Sequence, residues 1–107
     1  MEEITSKITS NEISKLASEL IRIRSDEQVG EKEICFFLFD YLKALGFSVE
    51  IQDVLHNRPN IIARINGDSN GESLMFNGHL DTVPIGNIEN WKSEPFKPVI
   101  KDRKSVV

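Results

Sequence analysis

The sequence predicts an α/β fold, and three patterns along its 107 residues indicate it. Two segments carry apolar residues at the spacing of amphipathic helices. A shorter segment, residues 47–54, then alternates apolar and polar residues, as a half-exposed strand does. Residues 74–76, Leu-Met-Phe, form a continuous apolar run that is typical of a strand covered on both faces. Together these patterns predict two helices, a hairpin and a central strand that share one core.

The two predicted helices occupy residues 10–23 and 31–45. Ser10 or Asn11 is suited to cap the first helix, because both side chains accept hydrogen bonds from free backbone amides. Gly46 stands directly after the second helix, where a left-handed residue often ends a helix. The apolar positions that define the two faces are Ile13, Leu16, Ala17 and Leu20, then Ile34, Leu38, Tyr41, Leu42 and Leu45.

The hairpin is predicted from two antiparallel strands, residues 47–54 and 60–65, joined by a short turn. His56 lies in this turn, and because a lone histidine in a polar loop is usually solvated, we do not expect it to bind a metal. The central strand at residues 74–76 is predicted to end at Gly78, which allows the backbone to turn sharply.

A histidine and a carboxylate, His79 and Asp81, follow the predicted central strand. On extended backbone, residues two apart direct their side chains to the same side. An imidazole beside a carboxylate commonly forms part of a metal site, in which one ring nitrogen binds the metal and the carboxylate orients the ring. The alternative is a solvated His-x-Asp pair in a loop, which the spacing alone does not exclude.

The overall composition argues against several classes of function. A net charge of −4 with scattered basic residues does not suit nucleic acid as a partner. No apolar stretch approaches the roughly 20 residues that span a bilayer, and the N-terminus lacks the apolar core of a signal peptide. Cys35, the only cysteine, lies in an apolar run and suits a buried position in a reducing compartment. We therefore expect a cytoplasmic protein without a membrane partner.

The surroundings of His79 and Asp81 closely resemble a known enzyme family. The residues that carry the resemblance are Gly78-His79-Leu80-Asp81-Thr82-Val83-Pro84, Trp91 and Pro95-Phe96-x-Pro98. They are similar to the zinc-dependent amidohydrolases that include acetylornithine deacetylase, succinyl-diaminopimelate desuccinylase, aminoacylase and the glutamate carboxypeptidases. The resemblance extends over nearly the whole chain, from about Asn11 to Lys101.

The resemblance implies a three-layer αβα catalytic domain of the zinc-exopeptidase type, of which this chain is the N-terminal part. It implies two Zn²⁺ ions per complete site, with Co²⁺ as a substitute. It also implies that His79 is a metal ligand and that Asp81 is the catalytic residue that orients its ring. The implied reaction is hydrolysis of an amide bond in an N-acyl amino acid or a small peptide. A homodimer is one form that the full-length protein could take.

The chain departs from the family pattern near its end. Residues 1–101 are predicted to be the N-terminal portion of the catalytic domain, but the family's bridging aspartate, paired glutamates and later histidine are missing from the sequence given. We therefore expect the isolated chain to be inactive. Residues 102–107 can be encoded by GATCGGAAGAGCGTCGTG, which matches a common sequencing-adapter sequence, so we predict that they form a non-native tail. A genuine C-terminus that is basic and apolar is the alternative.

Two other functions stay open from the sequence. A dipeptidase of the same family would share every residue named above, because the groups that set specificity would lie outside this chain. A non-catalytic α/β binding domain would keep the fold without the chemistry, although the presence of both His79 and Asp81 favours a hydrolase.

Overall fold

The structure of the protein, a computed structural model, describes residues 6–102 and the backbone of residues 104–106. The chain forms two compact units. The central unit is the continuous segment Ser25–Pro84, and the terminal unit combines Met1–Arg24 with Ile85–Val107. The predicted second helix, the hairpin and the pair His79 and Asp81 all belong to the central unit.

In the terminal unit, helix α1 spans Ser10–Arg22. Its N-cap is Thr9 rather than the predicted Ser10 or Asn11. The Thr9 side chain accepts a hydrogen bond from the Glu12 amide, and the Glu12 carboxylate accepts one from the Thr9 amide. Ser10 and Asn11 have no acidic residue three positions later, so neither can form this reciprocal pair. The predicted helix is confirmed, and its cap is corrected by one residue.

A short 3₁₀ turn, Ile88–Asn90, is the next regular structure in the terminal unit. The side chain of Asn87 caps this turn by accepting a hydrogen bond from the Glu89 amide. Trp91 follows, half-buried, and its indole Nε1 donates to the Ile85 carbonyl oxygen over 2.8 Å. The indole N–H is therefore satisfied by its own loop.

The last strands of the terminal unit form a small antiparallel ladder. Strand β3, Val99–Lys101, pairs with β4, Lys104–Val106. Arg103 and Val107 lie outside the described residues. The expectation that residues 102–107 form a non-native tail stays a prediction.

In the central unit, helix α2, Lys32–Ala44, precedes a hairpin of β1, Ser48–Leu55, and β2, Arg58–Arg64, which pair antiparallel. Gly46 ends α2 in the left-handed region, with a φ of 94°, as predicted. The amides of Gly46 and Phe47 donate to carbonyl oxygens of the last helical turn, which is the pattern of a Schellman cap. The predicted second helix and hairpin are confirmed.

The core of the central unit lies where α2 packs against both strands of the hairpin. Ile34 and Cys35, on α2, are buried there, with exposed fractions of 5% and 0%. Burial raises the pKa of the Cys35 thiol, because ionisation would place a charge in an apolar site, and the Glu31 and Asp53 carboxylates raise it further. Cys35 is the buried hydrophobic residue that the sequence predicts.

The central strand predicted at residues 74–76 is wrong. Leu74, Met75 and Phe76 lie in a segment without strand pairing, and their exposed fractions are 81%, 85% and 89%. A strand needs a neighbour that completes its backbone hydrogen bonds. The described strands pair only as β1 with β2 and β3 with β4, so this segment has no such neighbour. Gly78 does not turn the chain by a left-handed conformation either.

The fold class itself is confirmed as α/β, with two helices and an antiparallel pair of strands in the described residues. Side-chain burial along β1 alternates over its first four residues, as the sequence predicts for a half-exposed strand. Neither described helix has the length and apolar content that crossing a bilayer would require.

Candidate metal centre

The structure brings His79 and Asp81 into direct contact. The Nδ1 atom of His79 lies 2.9 Å from the backbone carbonyl oxygen of Asp81 and 3.2 Å from its Oδ1 atom. Because a carbonyl oxygen only accepts hydrogen bonds, Nδ1 carries the proton in this arrangement. Nε2 then keeps the lone pair that a metal ion requires. The two side chains meet as their spacing predicts, whereas their roles stay predictions.

The pair is open to solvent. The exposed fractions of the His79 and Asp81 side chains are 85% and 51%. Within residues 6–102, no group of three or more His, Cys, Asp or Glu side chains is placed to hold a metal ion together. Since Zn²⁺ in proteins is held by several ligands, the described residues match a zinc site in kind but not in number. They supply one imidazole and a carboxylate in contact with it.

Arg58, at the start of β2, lies beside Asp81. Its Nη2 atom is 4.0 Å from Oδ2 of Asp81. The same guanidinium forms a two-pronged hydrogen bond with Glu31, from Nη2 to Oε1 over 2.8 Å and from Nε to Oε2 over 3.1 Å. This hydrogen bonding to Glu31 raises the pKa of Arg58, and the charges of Asp81 and Glu27 raise it further. A row of alternating charges thus leads from the start of α2 to His79.

The turn that carries Arg58 is fixed against the start of α2. Asn57, in the turn, has a φ of 59°, and its carbonyl oxygen accepts a hydrogen bond from the Glu31 amide over 2.9 Å. Gly30 packs so closely against this turn that an added Cβ would overlap the Asn57 carbonyl oxygen. Gly30 also has a φ of 77°, so glycine is required here for two reasons. The backbone position of Arg58 is therefore set by backbone contacts.

Thr82, the residue after Asp81, is hydrogen-bonded to the loop that precedes α2. The Thr82 amide donates to the Ser25 carbonyl oxygen over 3.2 Å, and Thr82 forms a parallel bridge with Asp26. Ser25 and Asp26 are both only 2% exposed. The Asp26 carboxylate accepts a hydrogen bond from the Gln28 amide, and its carbonyl oxygen accepts one from the Gly30 amide. One buried loop therefore anchors Thr82 and leads directly into the contact with Arg58.

An open cleft of about 660 Å³ borders His79 and Asp81. It is lined by hairpin residues, among them Arg58, Asn60 and Ile62, and by residues 76–81. Small-molecule sites in proteins commonly have volumes of about 300 to 1,000 Å³. The cleft is therefore large enough for a small molecule to lie next to the imidazole.

Sequence reasoning missed the contacts of Glu31 and Arg58. The sequence predicts Glu31 only as the first residue of a helix, and Arg58 only as part of a turn. The two residues lie 27 positions apart, and their pairing depends on how the hairpin folds back on α2. Gly30, directly before Glu31, indicates a tight turn before the helix. A single sequence contains no pattern that shows which arginine pairs with Glu31.

Comparisons with known proteins identify relatives that share this segment. The chain is 39% identical over 97 residues to the succinyl-diaminopimelate desuccinylase of Pelagibacter ubique, covering 87% of this chain and 24% of the relative. It is 38% identical over 64 residues to the N-formyl-4-amino-5-aminomethyl-2-methylpyrimidine deformylase of Bacillus subtilis, covering 58% and 15%. It is 45% identical over 62 residues to the succinyl-diaminopimelate desuccinylase of Wolbachia pipientis, covering 57% and 15%.

The chain spans about a quarter or less of the length of these curated relatives. The similarity is therefore a similarity to one part of each relative. No protein-family model matches the chain. No solved structure matches it either.

Proposed function

Because the chain is a homologous segment of the amidohydrolase family that includes these desuccinylases and deformylases, we propose that it forms part of the active site of a zinc-dependent hydrolase. The reaction is hydrolysis of an amide bond in a small N-acyl compound. One observation carries the proposal: His79 Nδ1 is held by Asp81, which leaves Nε2 as the nitrogen for a metal.

In this proposal, His79 binds one Zn²⁺ ion through Nε2, and Asp81 orients the ring and stabilises positive charge on it. The exposure of the imidazole supports this role, because an ion and further ligands can reach it. The remaining ligands and the general base come from other residues of the complete enzyme. When bound, the metal would activate water and polarise the amide carbonyl.

The substrate class follows from the relatives and from the cleft. The names of the relatives describe removal of a succinyl or a formyl group. A small molecule with an acyl group on nitrogen therefore suits the proposed enzyme, and the cleft beside His79 has the volume for one. The single, buried Cys35 suits a reducing cytoplasm as its location.

A chimera tests this function. The segment of the Pelagibacter ubique desuccinylase that aligns with this chain is replaced by the corresponding residues of this chain. Hydrolysis of N-succinyl, N-formyl and N-acetyl amino acids and of dipeptides is then measured, together with the zinc content. We expect hydrolysis of at least one N-acyl compound and a bound metal ion, whereas the 107-residue chain alone should hydrolyse none of them.

Three variants of the chimera separate the roles of the residues. His79→Ala should lose metal and nearly all activity, because it removes a ligand. Asp81→Asn should keep most of the metal and lose about 10- to 100-fold in turnover, because an amide cannot stabilise charge on the imidazole as a carboxylate does. His56→Ala is the matched control and should resemble the parent. An active chimera in which His79→Ala has full activity and full metal content would refute the proposal, and cleavage of dipeptides alone would favour a dipeptidase.

A further inference from the structure

Arg58 is held more firmly than an arginine of its exposure normally is. Its side chain is 46% exposed and that of Asp81 is 51% exposed. An isolated ion pair at such exposure contributes little, because ordering two flexible side chains offsets their attraction. Here the guanidinium is already ordered by the two hydrogen bonds to Glu31, whose side chain is only 8% exposed. The Arg58 side chain therefore loses little further conformational entropy when it pairs with Asp81.

The two oxygens of Asp81 face different partners. Oδ2 is 4.0 Å from the Arg58 guanidinium, and Oδ1 is 3.2 Å from Nδ1 of His79. A change of the Asp81 χ1 rotamer would move the carboxylate away from both partners. We propose that Arg58 is a positioning residue that holds the Asp81 carboxylate with Oδ1 on the imidazole of His79. The inference rests on the proposed roles of His79 and Asp81 in metal binding.

The charges around Arg58 support the same role. The carboxylates of Glu31, Asp81 and Glu27 all act on the guanidinium. Without Arg58, these three negative charges would repel one another, and Asp81, as an exposed member of the group, would be free to turn toward water. Arg58 therefore does more than fasten the hairpin to α2: it keeps a carboxylate in the orientation that the imidazole needs.

The alternative is a purely structural role, in which Arg58 stabilises the fold through its hydrogen bonds to Glu31 and does not position Asp81. A purely structural Arg58 would leave the Asp81 side chain in the same rotamer after its removal, provided that the hairpin stayed folded. A positioning Arg58 would not. The rotamer of Asp81 is therefore the readout that separates the two roles.

The experiment uses the 107-residue chain labelled with ¹⁵N and ¹³C. Three-bond couplings from Hα to Hβ and from the amide nitrogen to Cγ report the χ1 populations of Asp81. Long-range ¹H–¹⁵N spectra report which nitrogen of His79 carries the proton, with His56 as an internal reference. The unmodified chain should show one dominant Asp81 rotamer and a His79 proton mainly on Nδ1.

Arg58→Gln should average the Asp81 couplings over several rotamers, whereas the His79 proton should stay on Nδ1, because the backbone carbonyl oxygen of Asp81 still accepts it. Arg64→Gln is the matched control, because it removes an arginine from the same strand whose partner is Glu50, at 3.2 Å. This control should leave both readouts unchanged. If Arg58→Gln loses the amide spectrum of the folded hairpin, Arg58→Lys replaces it. A lysine keeps the charge beside Glu31 but cannot form the two-pronged contact, so Asp81 should again be averaged.

Unchanged Asp81 couplings in a folded Arg58→Gln or Arg58→Lys chain would overturn the inference. Averaged couplings in the unmodified chain would overturn it without any variant. The function proposed above fails on different evidence, namely the metal content and activity of the His79→Ala chimera. A failure of the inference can therefore be told apart from a failure of the proposed function.

Discussion

Two regions of the central unit differ in the contacts that they form with the rest of that unit. The junction, residues 25–31 together with the turn at 56–59, combines the Glu31–Arg58 ion pair, the backbone bond from Glu31 to Asn57 and a glycine packed against the turn. The exposed segment, residues 72–78, has no strand pairing and presents three large apolar side chains to solvent. The junction is ordered by contacts within the chain, and the exposed segment is not.

The candidate metal centre follows the exposed segment in sequence, but its contacts are with the junction. Asp81 is approached by Arg58, and Thr82 is bound to Ser25, so the junction holds the later part of the motif. The exposed segment, which leads into His79, contributes no comparable contact among the described residues. The contacts to this motif therefore come from the helix and hairpin side, and not from the strand that the sequence predicts.

Among substitutions that test this difference between the two regions, Gly30→Ala should cause the largest loss of stability. An alanine would have to adopt a φ of 77°, and its Cβ would overlap the Asn57 carbonyl oxygen. Left-handed strain and the forced movement of the turn together should lower the free energy of unfolding by roughly 3 kcal/mol or more. Urea denaturation followed by far-ultraviolet circular dichroism measures this loss.

Two other glycines are matched controls for Gly30→Ala. Gly46→Ala has the same left-handed strain, at a φ of 94°, but meets no atom within 4 Å, so it should cost only roughly 1 to 2 kcal/mol. Gly78→Ala, after the exposed segment, has neither strain nor a contact and should change the free energy of unfolding by less than about 0.5 kcal/mol. Equal losses for all three would show that the junction has no special role.

The elements that the sequence predicted correctly are those whose signals are local. The helical spacing, the alternation along β1 and the capping glycine Gly46 all act over a few residues, and each is confirmed. The cap of α1 was misplaced by one residue because the reciprocal bond between Thr9 and Glu12 outweighs the general preference for serine or asparagine.

The failures concern partners that are distant in sequence. The apolar run at residues 74–76 fits a buried strand, but burial requires neighbouring strands and helices that a local pattern cannot supply. The pairing of Glu31 with Arg58 depends on the fold of the hairpin and has no local signal. For the site, the spacing of His79 and Asp81 was sufficient to predict their meeting, whereas the residue that approaches Asp81 from β2 was not predictable.

A smaller but sharper test compares two large apolar residues, one in α2 beside the junction and one in the exposed segment. Ile34, in α2, is 5% exposed, so Ile34→Ala should lower the free energy of unfolding by about 2 to 4 kcal/mol through lost burial and a cavity. Phe76→Ala should change it by less than about 0.5 kcal/mol, because the ring is already in solvent. Both values come from urea denaturation of the 107-residue chain. A loss for Phe76→Ala as large as that for Ile34→Ala would mean that residues 74–76 are buried after all.

The central claim, that His79 and Asp81 form a metal-binding pair, is tested most directly by adding Co²⁺ to the labelled 107-residue chain. Paramagnetic changes in the imidazole signals then locate the ion, and the two histidines compete within one molecule. We expect weak binding at which the His79 signals broaden or shift at Co²⁺ concentrations that leave His56 unaffected. Asp81→Asn should reduce this preference, because the ring loses its charged partner. Equal effects on His79 and His56 in the unmodified chain would contradict the claim.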